Sequence, residues 1–415
     1  MTFRGLKMKC RFCGTILEHV FVDLVNAPLS NAYLTEEQLN EPEVYFPLKI
    51  FVCHECWLVQ VDAYKKSDDI FDKDYAYFSS MSSSWLKHSK AFVDSIVLRL
   101  SLGSSSQVAE IASNDGYLLQ YFKDKHIPCF GIEPTKSTAT ASREKGIETL
   151  ESFFSLDLAR ELVRKEKSAD LIIGNNVLAH VPDIVDFVSG MAFLLKSRGT
   201  ITMEFPHLLN LLKFSQFDTI YHEHFSYLSL STTISVFHHC GLKIYDVQEL
   251  DTHGGSLRIY ATHAENKAID IHDRVGQVLV KEDDFGLNDI STHKSLQNNA
   301  DKIKSDFLSF LLNQKRKGMK VAGYGAAAKG NTLLNYCGVK NDLIEFVADA
   351  APSKQGKFLP GSHVPVVEES KLSEFKPDFI ILFPWNIKNE LVQHLTYTRA
   401  WGAKFVTAVP GLEIF

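Results

Sequence analysis

The sequence predicts an α/β protein in three parts. These are a small metal-binding module at residues 1–65, a central Rossmann-like unit at 66–285, and a helical connector with a second Rossmann-like unit at 286–415. Three observations carry this. Four of the seven cysteines form two Cys-x2-Cys pairs near the N-terminus. Short apolar runs alternate with helical stretches over residues 106–265, the pattern of a mostly parallel sheet with right-handed crossovers. A second series of the same kind starts at a glycine-rich turn after residue 317.

Composition narrows the function. The apolar share of 45% and charged share of 23% are those of an ordinary globular chain. A formal net charge of −6, with Lys315-Arg316-Lys317 as the densest basic run, argues against a nucleic-acid partner. No apolar run reaches the ~20 residues of a membrane span, and the N-terminus lacks the apolar core of a secretory leader. The expectation is a cytoplasmic protein with no membrane and no nucleic-acid partner.

In a reducing compartment, Cys-x2-Cys pairs read as metal ligands. Cys10/Cys13 and Cys53/Cys56 can each form a tight knuckle, and two knuckles complete the four-thiolate set of a structural Zn²⁺. Gly14 suits the first turn, and the apolar run Leu48–Val52 leads into the second knuckle. The alternatives are two reduced buried pairs or a redox site. A closed four-thiolate site has no open coordination position, so no catalysis is assigned to it.

Residues 61–105 read as helical and connective. Within them the stretch Tyr75-Ala76-Tyr77-Phe78-Ser79-Ser80-Met81-Ser82-Ser83-Ser84-Trp85 is rich in hydroxyls and aromatics. It suits either a ligand-facing loop or a serine-capped helix start. Strands follow at 108–112, 129–133, 170–174 and 199–205. The first ends in Glu110-Ile111-Ala112-Ser113-Asn114-Asp115-Gly116, where small residues let the backbone approach a ligand. Ala112 and Asn114 occupy positions where a dinucleotide fingerprint has glycines. Asp115 suits a ligand ammonium or a backbone cap, and Glu133, closing the next strand, suits a ribose. The alternative is a plain strand-to-helix turn with Glu133 solvated.

Tyr221-His222-Glu223-His224-Phe225 puts three proton-moving or metal-binding groups in a row. His222 and His224 would share a strand face as metal ligands do, but no third ligand stands at firm spacing. A histidine also suits a general base, with an unperturbed pKa of ~6.5. The connector follows, with Leu296, Ala300, Ile303, Phe307 and Phe310 on one helical face. The second unit opens with the strand 319–323 and the turn Gly323-Tyr324-Gly325-Ala326-Ala327-Ala328-Lys329-Gly330. That turn fits Gly-x-Gly-x-x-Ala, and Asp349 closes the next strand at about the 20-residue spacing of an NAD site. Any nucleotide diphosphate would fit a bare glycine turn equally.

Taken in order, these motifs resemble the S-adenosylmethionine-dependent nucleotide-sugar C-3 methyltransferases, over nearly the whole chain. The cysteine pairs resemble the family's zinc module. Glu110–Gly116, Gly131-Ile132-Glu133-Pro134 and Gly174-Asn175-Asn176-Val177-Leu178-Ala179-His180-Val181 resemble its cofactor motifs. Tyr221–Phe225 and His253-Gly254-Gly255-Ser256-Leu257-Arg258 resemble its active-site signatures, and Gly323–Thr332 and Lys354–Gly361 its C-terminal domain. The resemblance implies a zinc-binding module, a class I methyltransferase domain and a C-terminal Rossmann-like domain. S-adenosylmethionine would contact Glu110, Ala112, Asn114, Asp115, Gly116, Glu133, Asn175 and Asn176. The partner would be a nucleotide-linked 4-keto-6-deoxy sugar, held in part by Gly323, Tyr324, Gly325, Lys329 and Arg258. This sets aside NAD at the second turn. His224 would be the base at sugar C-3 and Glu223 an orienting group. Tyr221 and His180 would bond the ketone or enolate oxygen, and Tyr75 or Tyr77 would close over the sugar. The competing readings are an NAD-dependent sugar-nucleotide oxidoreductase, an O- or N-methyltransferase, and a non-enzymatic zinc interaction module. His180 also reads as a structural residue, and His222 and His207 receive no role.

Overall fold

The computed structural model describes residues 8–62 and 78–415. After the first cysteine knuckle come three antiparallel strands, β1 (His19–Ala27), β2 (Phe46–Val52) and β3 (Val59–Val61). The second knuckle is the connection between β2 and β3. The segment resumes at Phe78 and enters a helix over Ser83–Leu100, whose N-cap is Ser82, accepting from the Trp85 amide at 3.3 Å. Tyr75 and Tyr77 lie outside the described residues.

The central sheet begins with β4 (Val108–Ile111), β5 (Cys129–Ile132), β6 (Glu148–Leu150), β7 (Ala169–Asn175) and β8 (Leu195–Pro206), all parallel. Every residue of β4 is buried, as a parallel strand covered on both faces requires. The chain then leaves this sheet for two residues, β9 (Ser226–Tyr227), which pair antiparallel with β3 of the N-terminal module. It returns as a hairpin of β10 (Leu242–Leu250) and β11 (Ser256–His263), with β11 antiparallel to β8. The seven strands stand in the order β10-β11-β8-β7-β4-β5-β6. The order reverses between β4 and β7, and a crevice outside such a switch point is where open α/β sheets bind ligands. The four parallel strands expected from the sequence are present. The hairpin was not foreseen, because β11 is buried on both faces and so lacks a period-2 signal.

Two helices, Asp273–Phe285 and Ile290–Arg316, lead to the C-terminal unit. The longer one buries Leu296, Ala300, Ile303, Phe307 and Phe310 as its periodicity predicts, and it packs on β1. The last sheet comprises β12 (Val321–Tyr324), β13 (Val347–Ala348), β14 (Val366–Val367), β15 (Phe379–Leu382), β16 (Lys404–Thr407) and β17 (Glu413–Ile414). Its order is β14-β13-β12-β15-β16-β17, parallel except for the edge strand β17.

The three parts share one core. A single buried apolar cluster runs from Phe21 and Ile50 through Phe217 and Phe225 to Phe307, Leu334 and Val406. Burying one such phenylalanine is worth about 1.5–3 kcal/mol, so the parts hold one another in place. Among the described residues no helix is long and apolar enough to cross a membrane.

Elemental analysis is expected to find one zinc ion per chain. Stripping it with a chelator should speed hydrogen exchange at the Val61 amide, which donates to the Phe225 carbonyl across the β3–β9 seam at 3.2 Å. A Val61 amide that stays protected would separate the metal from that seam.

Candidate active site

The two cysteine knuckles share one backbone device. The residue after the second cysteine of each is left-handed, Gly14 at φ 75° and Trp57 at φ 62°. Each donates its amide to the carbonyl of the first cysteine, Cys10 or Cys53, at 3.0 Å. Cys10 Sγ lies 3.5 Å from Cys56 Sγ and Cys13 Sγ 3.5 Å from Cys53 Sγ. All four sulfurs lie within 4.8 Å of one another. A tetrahedron with ~2.3 Å zinc–sulfur bonds has edges of about 3.8 Å, so the set fits one zinc ion. Gln60 Nε2 donates to Cys10 Sγ at 3.2 Å, the kind of outer contact that steadies a thiolate ligand.

At the switch point, the turn after β4 holds Ala112 at φ 56°, Asn114 at φ 49° and Gly116 at φ 73°. Ala112 and Asn114 thus adopt the glycine-like conformation that their positions require. Asn114 is fixed from both sides: its amide donates to Glu133 Oε2 and its side-chain oxygen accepts from the Ser79 amide, each at 2.9 Å. The serine-rich stretch therefore both caps a helix and lies on this turn. Glu133 takes the Thr135 amide on its other oxygen at 2.9 Å. Asp115 pairs with Lys145 at 3.1 Å. Burial pushes the Glu110 carboxyl well above its usual range. Asp115 Oδ1 and Asn176 Oδ1 are buried with no hydrogen-bond partner among the described residues, and Asn175 at the end of β7 reaches the Tyr117 hydroxyl at 3.4 Å. A cradle of turned backbone, buried acids and orphaned polar atoms fits a cofactor bearing an ammonium and a ribose.

The histidine cluster adjoins this cradle. After β7, Asn175 and Asn176 lead into the short turn Leu178–His180. His180 Nδ1 lies 2.9 Å from the Glu223 carbonyl, and its ring is 4.6 Å from that of His224. His224 Nδ1 lies 3.0 Å from the Thr219 carbonyl, with the Tyr221 ring at 4.0 Å. A carbonyl only accepts, so Nδ1 of each ring carries the proton and Nε2 the lone pair. Burial pushes His180 down to about 4 and His224 well below the ordinary range, aided at His224 by the neighbouring His180. Both are neutral at pH 7. His180 in this form is an acceptor at Nε2, which suits a hydroxyl better than the ketone oxygen expected from the sequence. Burial raises Glu223 to about 7.

The N-terminal module grips this segment. Besides the β3–β9 pairing, His222 Nε2 reaches the Pro47 carbonyl in β2 at 3.2 Å, and the Arg11 guanidinium lies over the Phe225 ring at 5.3 Å. His222, unassigned from the sequence, is a tether. Asn31 Nδ2 donates to Glu223 Oε1 at 3.3 Å.

The C-terminal unit closes the far side. Lys329 Nζ donates to Asn386 Oδ1 at 2.6 Å and lies 4.4 Å over the Trp385 ring, whose Nε1 donates to Asp218 Oδ2 at 2.7 Å. Burial lowers Lys329 to about 8, partly offset by Asp218, and raises Asp218 to about 6 against the Lys329 charge. His253 lies between these groups and the cofactor side. Its backbone is left-handed at φ 55° and its ring meets Trp85 at 5.3 Å. Burial pushes it down to about 4. A Cβ on Gly254 would come within 2.6 Å of Trp385, so only glycine fits that turn. The sequence pointed to neither Asp218, Trp385 nor Asn31. A polar residue before two glycines was the signal available for His253.

Other expected residues lie elsewhere. Arg258 donates to Glu204 Oε2 at 2.5 Å and stacks 4.3 Å over Phe92, with His88 2.9 Å from both Glu204 and Arg258. Burial alone would raise Glu204, but His88 and Arg258 hold it at about 2. The Tyr324 hydroxyl donates to Glu369 at 2.7 Å. Asp349 accepts the Ala326 amide at 2.7 Å and the Ala351 amide at 2.8 Å, so it braces its own turn where an NAD site would hold a ribose. His207 pairs with Glu282 at 2.7 Å, and Glu282 also caps the Leu230–His239 helix through the Leu230 and Ser231 amides. His207 is structural.

Comparison with known proteins follows the same three parts. Residues 10–71 match a zinc binding domain, 85–247 a methyltransferase domain, and 251–410 a C-methyltransferase C-terminal domain. The chain is 32% identical over 402 residues to the C-methyltransferase NovU of Streptomyces niveus, covering 97% of this chain and 95% of that protein. Among solved structures, magnesium protoporphyrin IX methyltransferase of Synechocystis PCC 6803 with bound S-adenosylmethionine aligns at a TM-score of 0.35 and 14% identity, over 49% of this chain and all of that one (100%). The CcbJ methyltransferase of Streptomyces caelestis aligns at 0.35 and 11%, over 45% and 99%.

Asn114→Val is expected to weaken S-adenosylmethionine binding about tenfold by calorimetry, since a side chain ill suited to left-handed backbone costs ~1–2 kcal/mol. Asn114→Gly should restore most of that loss.

Proposed function

The chain belongs to the family of S-adenosylmethionine-dependent deoxysugar C-methyltransferases, and we propose that it methylates C-3 of a nucleotide-linked 4-keto-6-deoxy sugar through an enolate. It is an S-adenosylmethionine-dependent C-methyltransferase whose cofactors are S-adenosylmethionine and zinc. The cofactor, bound at the turn after β4, supplies an electrophilic methyl group. The rest of the chemistry falls to the chain. Carbon must become a nucleophile, and a hydrogen beside a ketone can be removed because the charge spreads to oxygen.

The observation that carries this reading is the bond from His224 Nδ1 to the Thr219 carbonyl. It fixes the ring with its lone pair on Nε2, and burial keeps the ring neutral, so that nitrogen is able to take a proton. Glu223, raised to about 7, is partly protonated near neutral pH and can orient a sugar hydroxyl as donor or acceptor. Tyr221, packed on His224, is the hydroxyl donor to the ketone oxygen. His180 accepts from a neighbouring sugar substituent. The Gly323–Gly325 turn and the first turn of the following helix receive the diphosphate, consistent with anion binding at helix N-termini. An O- or N-methyltransferase would need no acidic hydrogen on carbon.

Incubation with labelled S-adenosylmethionine and a panel of 4-keto-6-deoxy sugar nucleotides should put label on carbon. Label on oxygen or nitrogen alone would overturn the proposal. His224→Gln should lower the rate by ~10²–10⁴ with cofactor affinity unchanged. The pH profile follows from the depressed His224. The active form is the neutral ring, which persists as pH falls through the ordinary imidazole range of ~6.5. The wild-type rate should therefore hold level down to about pH 6, and an acid limb centred at ~6.5 would contradict the burial.

A further inference from the structure

Lys329 is a cation close to the histidines to which the mechanism above gives no chemical step, and its placement runs against simple electrostatics. It lies in the first turn of the helix Ala328–Cys337, where the helix dipole disfavours a cation. Its ammonium is turned onto Asn386 and the Trp385 face. Trp385 in turn holds Asp218, and Asp218 belongs to the same short turn, Phe217–Thr219, whose Thr219 carbonyl fixes His224. The ammonium is near enough to His224 and His253 for its charge to depress both.

We propose that Lys329 is a catalytic residue whose ammonium donates to the sugar ketone oxygen as that oxygen becomes an enolate, and is not the ligand of the diphosphate. The inference deepens the function proposed above and rests on it. In the step concerned, the C-3–H bond breaks and the proton goes to His224 Nε2. The bonding pair becomes the C-3–C-4 π bond, and the carbonyl π pair moves to oxygen, which the ammonium holds by a hydrogen bond. Reversal in heavy water returns a deuteron to C-3, so this half of the chemistry can be followed with no methyl donor present. Trp385 and Asn386 are positioning residues for the ammonium.

The test compares wild type with Lys329→Met by C-3 deuterium exchange in dTDP- and UDP-linked 4-keto-6-deoxyglucose, and by calorimetric binding of dTDP and UDP. Exchange should fall ~10²–10³-fold, the usual loss for one oxyanion donor, with nucleoside diphosphate affinity within about twofold. The donor is the protonated amine, so wild-type exchange should decline as pH rises through about 8, and Lys329→Met should lack that limb. Should Lys329→Met misfold, Asn386→Ala removes the bond that aims the ammonium and should slow exchange with diphosphate affinity kept. Near-normal exchange with a diphosphate affinity weakened tenfold or more would overturn the proposal and return Lys329 to the diphosphate. No exchange by wild type in either sugar would overturn the keto-sugar reading itself.

Discussion

The geometry of the site depends on one short seam, the antiparallel pairing of β3 with β9. Val59 faces Tyr227 and Gln60 faces Ser226, and Val61 donates to Phe225 just beyond. On one side of the seam, the hairpin between β2 and β3 carries Cys53 and Cys56. On the other, the chain has just passed through Tyr221–Phe225. A metal bound on one strand pair therefore fixes the backbone that carries His224. Gln60 belongs to both systems, through its bond to Cys10 Sγ and its pairing with Ser226. The zinc module is part of the active-site wall.

Burial sets the character of that wall. It favours the neutral form of every titratable group it covers, and here it acts on carboxylates and histidines together. Glu223 and Asp218 rise while His180, His224 and His253 fall. Two backbone carbonyls, of Thr219 and Glu223, then choose which nitrogen of His224 and His180 keeps the lone pair. Lys329 and Asp218 shift in the same sense. They face one another across Trp385, and each offsets part of the other's desolvation. The result is a buried cluster of groups held toward their neutral forms, with the Lys329 ammonium stacked on Trp385.

Much of this was legible in the sequence where local rules decide. The cysteine spacing announced the zinc set, and the alternation of apolar runs announced the parallel strands. Ala112 and Asn114 stood out as replacements for glycine, and both adopt the glycine-like backbone. What the sequence withheld depends on contacts between distant segments. Asp349 has the spacing of a ribose ligand, and only the fold shows that its carboxylate also accepts the Ala326 and Ala351 amides. Arg258 lies in an active-site signature but is committed to Glu204. His222 is chemically equivalent to His224 until the Pro47 carbonyl claims it. No periodicity marks Asn31 or Trp385, because their roles exist only once the parts have met.

The reach of the loop after β1 has a consequence for how the protein is made. Asn31 bonds Glu223 across 192 positions, and the Ser30 carbonyl accepts from Asn331 across 301. The Tyr33 hydroxyl donates to the Ala326 carbonyl beside it. At a synthesis rate of ~5–20 residues per second, Ser30 leaves the ribosome roughly 15–60 s before Asn331 exists. For that interval the nascent chain can hold its zinc and fold its cofactor sheet, but the loop lacks its C-terminal partners Ala326 and Asn331. A chain halted before Ala326 would present His224 with the Ser30 and Tyr33 contacts still unmade.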